Sequence, residues 1–373
     1  MLTFHSLRIV GIQPDAEDAV RISLEVPAEL CGEYRGLPGQ HVVVRTEINA
    51  TETRRTYSLV NVPGEWPLRI VVRVHPAGHM SRYLAEQLKA GDHLDILPPN
   101  GSFTPRRATE PKGTYVAFAS ACGITPVLAI VRSLLAANSS NRVILFYGNA
   151  STARAMCLEE LLGVKDRYLE RLSLHFVMSR EPQEVDLYNG RIDAERVRQF
   201  ARTLFTAADV TEYFVCGPGN MIDEVSATLR ELGVGTDKVH GEHFTVATTS
   251  AAESTPETVA VAASATVAVE FAGAPAVATD STEVTVLMDG RRRTFSMRMN
   301  DEFVLDAAAR AGLGLPFSCS AGVCSTCRTK VVRGAVEMAQ NYALEKWEVE
   351  QGYALACQSR VTTPVLELDY DEK

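Results

Sequence analysis

Ser318-Cys319-Ser320-Ala321-Gly322-Val323-Cys324-Ser325-Thr326-Cys327 is the stretch that decides how this chain is read, and Cys357 follows it after a gap of 29 residues. The gaps between the four cysteines run four, two and 29 residues, the C-x4-C-x2-C…C spacing that holds a [2Fe–2S] cluster. Three thiolates on one short loop wrap one side of a small cluster, and a remote fourth closes it. The neighbours Ser318, Ser320, Ala321, Gly322, Ser325 and Thr326 are small. Small side chains let backbone N–H groups approach the cluster sulfurs, where hydrogen bonds tune the potential. The alternative for four cysteines is structural zinc, which usually takes two short hairpins with a close pair on each. Three local cysteines and one distant one depart from that form, so Cys319, Cys324, Cys327 and Cys357 are read as iron ligands.

Outward from the loop, Glu283–Arg291 reads as a strand running into a hairpin turn at Asp289-Gly290, and Val304–Ala311 as a helix. These define a domain over residues 281–373. The preceding stretch, 247–280, is mostly Ala, Thr, Val and Ser, with no Lys or Arg. Low complexity of this kind reads as a flexible linker; the alternative is a strand around Val267–Phe271.

The other cysteines agree with a metal reading. Four of the eight fall in the last 55 of 373 residues, and no charged segment followed by an apolar run opens the chain. This points to a reducing compartment, and the expected location is cytoplasmic. Hydrophobic residues make up 46% and charged residues 22%, an ordinary globular composition. The net charge of −9 argues against nucleic acid or an anionic membrane as partner.

Two textures precede the linker. Over residues 1–108, short β-rich runs such as Val42-Val43-Val44, Ile70–Val74 and His93–Leu97 alternate with Gly/Pro turns, which predicts an antiparallel β-barrel. Over 109–246, strands (Thr114–Ala119, Arg142–Tyr147, Leu172–Val177, Glu212–Cys216) alternate with helices (Pro126–Ala137, Asn220–Leu232), which predicts an α/β doubly wound parallel sheet.

Each texture carries a candidate site. Arg55-Thr56-Tyr57-Ser58 supplies a cation for phosphate, a ring for stacking and a hydroxyl for a flavin nitrogen. An ordinary strand with Tyr57 half in the core explains the same four letters. Gly78-His79-Met80-Ser81 is a glycine turn at a helix start, where free N–H groups bind phosphate; Ser81 is equally read as an N-cap, and Met80 as core. In the second region, Ser120–Pro126 and Cys216-Gly217-Pro218-Gly219-Asn220-Met221 each end a strand and open a helix, the place for a dinucleotide in such a sheet. With one glycine, the first is not the G-x-G-x-x-G fingerprint.

R-x-Y-S, the Gly/Ser turn, G-I-T-P, C-G-P and the cluster loop, in this order, resemble the ferredoxin–NADP reductase superfamily with a fused C-terminal plant-type ferredoxin. Tyr147-Gly148-Asn149, Ser179–Gln183, Asn189-Gly190-Arg191, Asn341–Leu344 and Gly352–Gln358 resemble the branch of phenylacetyl-CoA epoxidase reductases. Reductases of 3-ketosteroid 9α-hydroxylase are close in pattern. The resemblance implies a β-grasp fold for the ferredoxin. It implies that Arg55, Thr56, Tyr57 and Ser58 hold FAD, with Val72, Val74, Gly78, Met80 and Ser81 along its ribityl and pyrophosphate. It places Thr125 between flavin and nicotinamide, and Gly123, Ile124, Pro126, Cys216, Gly217, Pro218 and Met221 around the nicotinamide. Glu242 and Phe244 resemble the end of the reductase module, beside the flavin. Ser58, Cys216 and Thr125 are the implied catalytic set.

This sequence departs from the family at Ala121, where glycine is usual, and at Ala150, where arginine is frequent. Ser151, Arg154 or Arg180 is then expected to take the 2′-phosphate of NADPH, with NADH as the alternative coenzyme. The implied activity moves electrons from NAD(P)H through FAD and the cluster to an oxygenase component. Reductases of Rieske-type oxygenases, or a redox sensor without turnover, are the competing readings.

Overall fold

The computed structural model describes residues 3–108, 112–244, 281–344 and 346–372, and the backbone of 265–269. Two compact units emerge, one spanning Thr3–Phe244 and one built from the residues after it.

The first unit opens with six antiparallel strands: β1 (His5–Ala16), β2 (Ala19–Glu25), β3 (His41–Ile48), β4 (Thr51–Ser58), β5 (Leu68–Arg73) and β6 (His93–Asn100). Their order is β4-β3-β6-β1-β2-β5. A bridge between Leu59 and Ile70 joins the end of β4 to β5 and closes the sheet on itself. Alternate residues point inward, as a pleated strand requires. Leu7 and Ile9, Ile22 and Leu24, Val42 and Val44, and Leu94 and Ile96 form one core inside the barrel.

Five parallel strands follow: β7 (Thr114–Ser120), β8 (Arg142–Asn149), β9 (Leu172–Met178), β10 (Glu212–Gly217) and β11 (Val239–His243), in the order β11-β10-β7-β8-β9. Tyr115 to Ala119 are all buried, because helices cover both faces of a parallel sheet. Ile124–Ala137 packs into one core, and the Ala194–Thr203 and Gly219–Glu231 helices into another. The chain reverses direction across the sheet between β7 and β10, and such switch points open a crevice for ligands at the strands' carboxyl ends. The first helix starts at Ile124, two residues before the predicted Pro126, because a 3-10 turn over Ala121–Gly123 runs into it. Pro126 costs nothing there, since the first-turn N–H groups have no helical acceptor.

Ion pairs stitch the barrel to the α/β sheet. Arg21 contacts Asp15 at 2.8 Å and Glu160 at 2.6 Å, and Arg132 contacts Glu160 at 2.8 Å and Glu65 at 3.0 Å. Asp18 accepts from Arg73 at 3.2 Å, and from Arg154. These pairs are partly buried, so their Coulomb attraction is set against desolvation. Their number fixes how the barrel faces the sheet more than how stable the unit is.

The second unit contains β12 (Ala265–Val269), β13 (Ser281–Met288), β14 (Arg291–Arg298), β15 (Arg328–Met338), β16 (Tyr353–Leu355), β17 (Ser359–Val361) and β18 (Val365–Asp369). The main sheet runs β12-β15-β18-β13-β14, with β16 and β17 also on β15. The β12 strand falls within 247–280, one residue pair after another opposite β15, while the rest of that stretch lies outside the described residues. Asp289 and Gly290, with φ of 54° and 67°, form the predicted two-residue hairpin turn. Helix Val304–Arg310 lays Val304, Ala307 and Ala308 on Val284, Phe295 and Leu366 of the sheet, in the same core as Cys327 and Cys357.

Candidate active site and cluster loop

On the barrel, a cavity of about 640 Å³ is lined by Arg55, Tyr57, Arg73, Gly78, Met80 and Ser81, among others. Tyr57 also packs on the barrel core, and burial raises its phenol above the usual value, so it stays neutral. A second cavity of about 330 Å³ shares Ile48, Asn49, Ala77, Gly78 and His79 with the first and continues to Arg82 and Tyr83. The groove thus has two chambers joined at the Gly78 turn, which suits a two-part cofactor. Gly78, not Ser81, is the N-cap of the His79–Glu86 helix. Ser81 sits in the first turn, where its Oγ accepts from the His75 N–H at 3.1 Å and donates to the Gly78 carbonyl at 3.2 Å. A Cβ at Gly78 would stand 2.5 Å from that Oγ.

Val72 lies in the barrel core and Val74 donates its N–H to the Asp18 carbonyl at 2.7 Å; the cavity side chain between them is Arg73. Thr56, one step from Tyr57 on the pleat, is absent from the cavity wall, as the alternation of a strand demands.

Four residues meet where the barrel faces the α/β sheet. Ser58 lies opposite His41 in the β3–β4 ladder, and Cys216 lies opposite Glu242 in the β10–β11 ladder. His41 Nδ1 stands 3.5 Å from Glu242 Oε1 and joins the two pairs. Ser58 Oγ, His41 Nε2 and Glu242 Oε2 are buried without a hydrogen-bond partner among the described residues. An unpaired buried polar group costs about 1–3 kcal/mol. Three of them on contacting or ladder-paired side chains fit a site that a polar ligand edge completes. Burial raises the carboxyl of Glu242, opposed by His41, and pushes the Cys216 thiol well up, so Cys216 offers a neutral S–H. Phe244 packs at the edge of the core that contains Cys216.

The crevice at the switch point is a cavity of about 520 Å³. Pro218 and Met221 line it, as do Ser120, Ala121, Asn149, Ala150, Ser179, Arg180 and Arg191. Arg73 lines both this cavity and the barrel groove. Gly123 is required by close approach, since a Cβ there would stand 2.0 Å from the Cys216 carbonyl oxygen. A Cβ at Gly217 would stand 2.7 Å from the terminal methyl of Met221, a flexible side-chain end. Ala121 has φ of 51°, the left-handed region, which explains why glycine is usual at this position. Thr125 is buried, with its hydroxyl donated to the Cys122 carbonyl at 2.9 Å, and Ile124 belongs to the core. Ser151 is absent from the wall, whereas Arg154 lines it and also pairs with Asp18.

In the second unit, Cys324, Cys327 and Cys357 are buried and Cys319 is partly exposed. Ser320, Gly322 and Ser325 take φ of 52°, 75° and 49°, which turns the loop around its own sulfurs. The Ala321 N–H donates to Cys319 Sγ at 3.4 Å and the Cys319 N–H to Cys324 Sγ at 3.5 Å. Gln358 Nε2 donates to the Ser320 carbonyl at 3.1 Å and ties the remote segment to the loop. Hydrogen bonds from Cys324, Cys357 and the Ala321 and Val323 N–H groups pull the Cys319 thiol down, while Cys319, Cys327 and burial push Cys357 up. Four mutually interacting sulfurs with N–H donors aimed at them fit a cluster.

Comparison with known proteins bears on all three sites. Family models match for an oxidoreductase FAD-binding domain over residues 15–104, an oxidoreductase NAD-binding domain over 119–227, and a 2Fe-2S iron-sulfur cluster binding domain over 286–362. A component of the 1,2-phenylacetyl-CoA epoxidase of Escherichia coli (strain K12) is 36% identical over 100% of this chain and 99% of its own length. The chain belongs to the ferredoxin–NADP reductase superfamily, in the branch with a fused 2Fe-2S domain. It is an NAD- and FAD-dependent electron-transfer reductase. The ferredoxin reductase component of 3-ketosteroid-9-alpha-monooxygenase from Rhodococcus rhodochrous is 29% identical over 98% of this chain and 96% of that one. Phthalate dioxygenase reductase shares the fold, with a TM-score of 0.57 at 21% identity over 98% of both chains. All four cysteines fall inside the 2Fe-2S match, which sets zinc aside.

Three residues of this reductase site escape sequence reasoning: His41, Arg73 and Arg191. His41 and Arg73 become visible once strand register is known, His41 because it faces Ser58 and Arg73 because it alternates with Val72. Arg191 belongs to a stretch that carries the family resemblance, but its place on the crevice wall follows only from the fold.

Proposed function

We propose that this reductase takes a hydride from NADPH at the Ser58–Cys216 seam and delivers electrons one at a time, through the Cys319–Cys357 loop, to an oxygenase component of the phenylacetyl-CoA epoxidase type. The observation that carries this reading is that the barrel groove and the switch-point crevice share Arg73 as a common wall. FAD, when bound, converts two-electron to one-electron chemistry, and the cluster relays single electrons. Tyr57 offers a neutral ring and Arg55 a cation in the groove. Ser58 holds a free hydroxyl at the seam, while the Cys216 thiol is buried and neutral behind it. Thr125, its hydroxyl committed to Cys122, braces the first turn of the helix.

The coenzyme reading rests on charge. Arg180 and Arg191 line the crevice beside Ser179, and Asn149-Ala150-Ser151 after β8 offers no carboxylate for a bare ribose. Glu181 is occupied, accepting from the Thr152 N–H at 2.7 Å and its hydroxyl at 2.6 Å. Full-length identity of 36% to the epoxidase component, against 29% to the steroid reductase, supports the choice of partner class. No helix among the described residues is long and apolar enough to cross a membrane, which accords with a cytoplasmic site of action.

The test is an absorption spectrum before and after NADPH, repeated with NADH, and then turnover with each oxygenase. Flavin and cluster bands that bleach faster with NADPH support the reading. A purified protein with neither chromophore after cofactor reconstitution overturns it, and turnover with a steroid oxygenase alone overturns the partner.

A further inference from the structure

The cluster domain holds a buried hydroxyl that the electron path above does not use. Tyr370 follows β18, and its ring packs on the same core as Leu366 and Leu368, as alternation along a strand requires. That core also contains Cys327 and Cys357. The sheet brings all three to one end. Asp369 pairs with Lys330 in the β15–β18 ladder, so the antiparallel register carries Tyr370 toward the start of β15, which Cys327 immediately precedes. The Ala356 N–H donates to the Cys327 carbonyl at 3.1 Å, which sets Cys357 beside it. The backbone around the ring is pinned. The Tyr370 N–H donates to the Leu287 carbonyl at 2.9 Å, and the Asp371 carboxylate accepts from the N–H groups of Asp289 and Gly290 at 2.7 and 2.8 Å.

Tyr370 is partly exposed as a residue, yet its Oη is buried and has no hydrogen-bond partner among the described residues. A phenol keeps its proton at ordinary pH, so this is an O–H donor with no acceptor. The charges it feels are those of Cys327 and Cys357, the two sulfurs of its own core. A buried unpaired donor is expensive, and such a group is kept where a ligand accepts from it.

We propose that the Tyr370 hydroxyl donates to the sulfur edge formed by Cys327 and Cys357 when they hold the cluster, and so raises the potential at which the cluster accepts its electron. Each electron adds one negative charge to a site that already holds four thiolates. A hydrogen bond to sulfur is stronger after that charge arrives than before it, so the donor favours the reduced state. The N–H donors of the loop come from within the ligand segment, whereas this one comes from 13 residues beyond Cys357, and a single substitution removes it. This inference rests on the cluster reading of the four cysteines.

The experiment is a redox titration of the cluster in the holoenzyme, followed by its electron paramagnetic resonance signal, in wild-type and Tyr370→Phe protein. Phenylalanine keeps the ring and its packing and deletes only the hydroxyl. The ratio of reduced to oxidised cluster at a fixed potential is expected to fall about tenfold, which is a downward shift of about 59 mV for one electron. The iron content and the flavin potential should stay as in the wild type. Replacing the tyrosines of the wild-type chain with fluorotyrosine, a stronger O–H donor of nearly the same size, should move the cluster potential up. The same replacement in Tyr370→Phe should leave it unmoved, a difference that a packing role would not produce. An unshifted potential in Tyr370→Phe overturns the inference. If that variant takes up no iron, an unshifted potential in the fluorotyrosine protein overturns it. A wild-type protein without a [2Fe–2S] signal after reconstitution and reduction overturns the cluster reading instead.

Discussion

Three of the four cluster thiols lie within residues 319–327, whereas Ser58, His41, Cys216 and Glu242 come from four strands in two sheets. The cluster loop makes its own geometry. Left-handed turns at Ser320, Gly322 and Ser325 and N–H bonds to sulfur are local properties of one short segment. The seam has no local geometry at all. Ser58, Cys216 and Glu242 are each marked by the segment they sit in, but His41 is not, and nothing in one dimension brings the four together until the barrel closes and the parallel sheet docks against it. A local site therefore shows its geometry in its spacing, while a distributed site shows it only through strand register.

Removing the one remote cluster ligand tests this contrast most strongly. Cys357→Ser should abolish the [2Fe–2S] electron paramagnetic resonance signal and oxygenase turnover, with NADPH still bleaching the flavin. Survival of turnover would mean that the cluster site is not closed by its distant segment.

At the seam, Gly123→Ala drives a Cβ to 2.0 Å from the Cys216 carbonyl oxygen, and backbone cannot swing away as a side chain does. A stability loss of about 3 kcal/mol is expected from overpacking of this kind, read as a lower midpoint in chemical denaturation. A neutral outcome would show that the two strand-end turns are not locked together.

The coenzyme wall is a third probe. Replacing Arg180 or Arg191 with alanine should raise KM for NADPH about tenfold, as the loss of one charge-assisted hydrogen bond implies, with little change for NADH. Equal effects on both coenzymes would move the 2′-phosphate elsewhere.

The pH dependence of stability separates the two regions further. Burial raises the Glu242 carboxyl above its ordinary 4.5, so the folded state holds a proton that the unfolded state releases. Stability of the first unit should therefore fall as pH rises from the ordinary carboxylate range to the raised value, and Glu242→Gln should flatten that fall. An unchanged pH slope in the variant would show that Glu242 is solvated.

The smallest effect belongs to Ala121, whose φ of 51° is costly for any residue with a Cβ. Relief of about 1–2 kcal/mol, offset by the extra freedom of unfolded glycine, leaves Ala121→Gly more stable by about 0.5 kcal/mol in thermal unfolding.

Much of the architecture is legible in the sequence because it rests on periodicity. Alternation along β1–β6, unbroken apolar runs in β7 and β8, and the Asp289-Gly290 turn each follow from one local rule. The helix expected from Pro126 starts two residues earlier, since a 3-10 turn leaves no mark in composition. Ser81 reads as a cap because serine caps are common, yet glycine fills that position where the turn must close on Ser81 itself. Val72 and Val74 alternate with Arg73, whose side chain lines the groove, because successive side chains of a strand point to opposite faces.

By itself, the sequence determined the spacing of the four cysteines proposed as cluster ligands, the division of textures into barrel and parallel sheet, and the two strand-end turns proposed for a dinucleotide. These depend on spacing and period, which are written in one dimension. Only the tertiary structure decided that His41 meets Glu242, that Arg73 serves two cavities, and that Gly123 must have no side chain. Those facts depend on which strands become neighbours and at what register, and contact between residues 41 and 242 exists only after the barrel and the sheet have packed together.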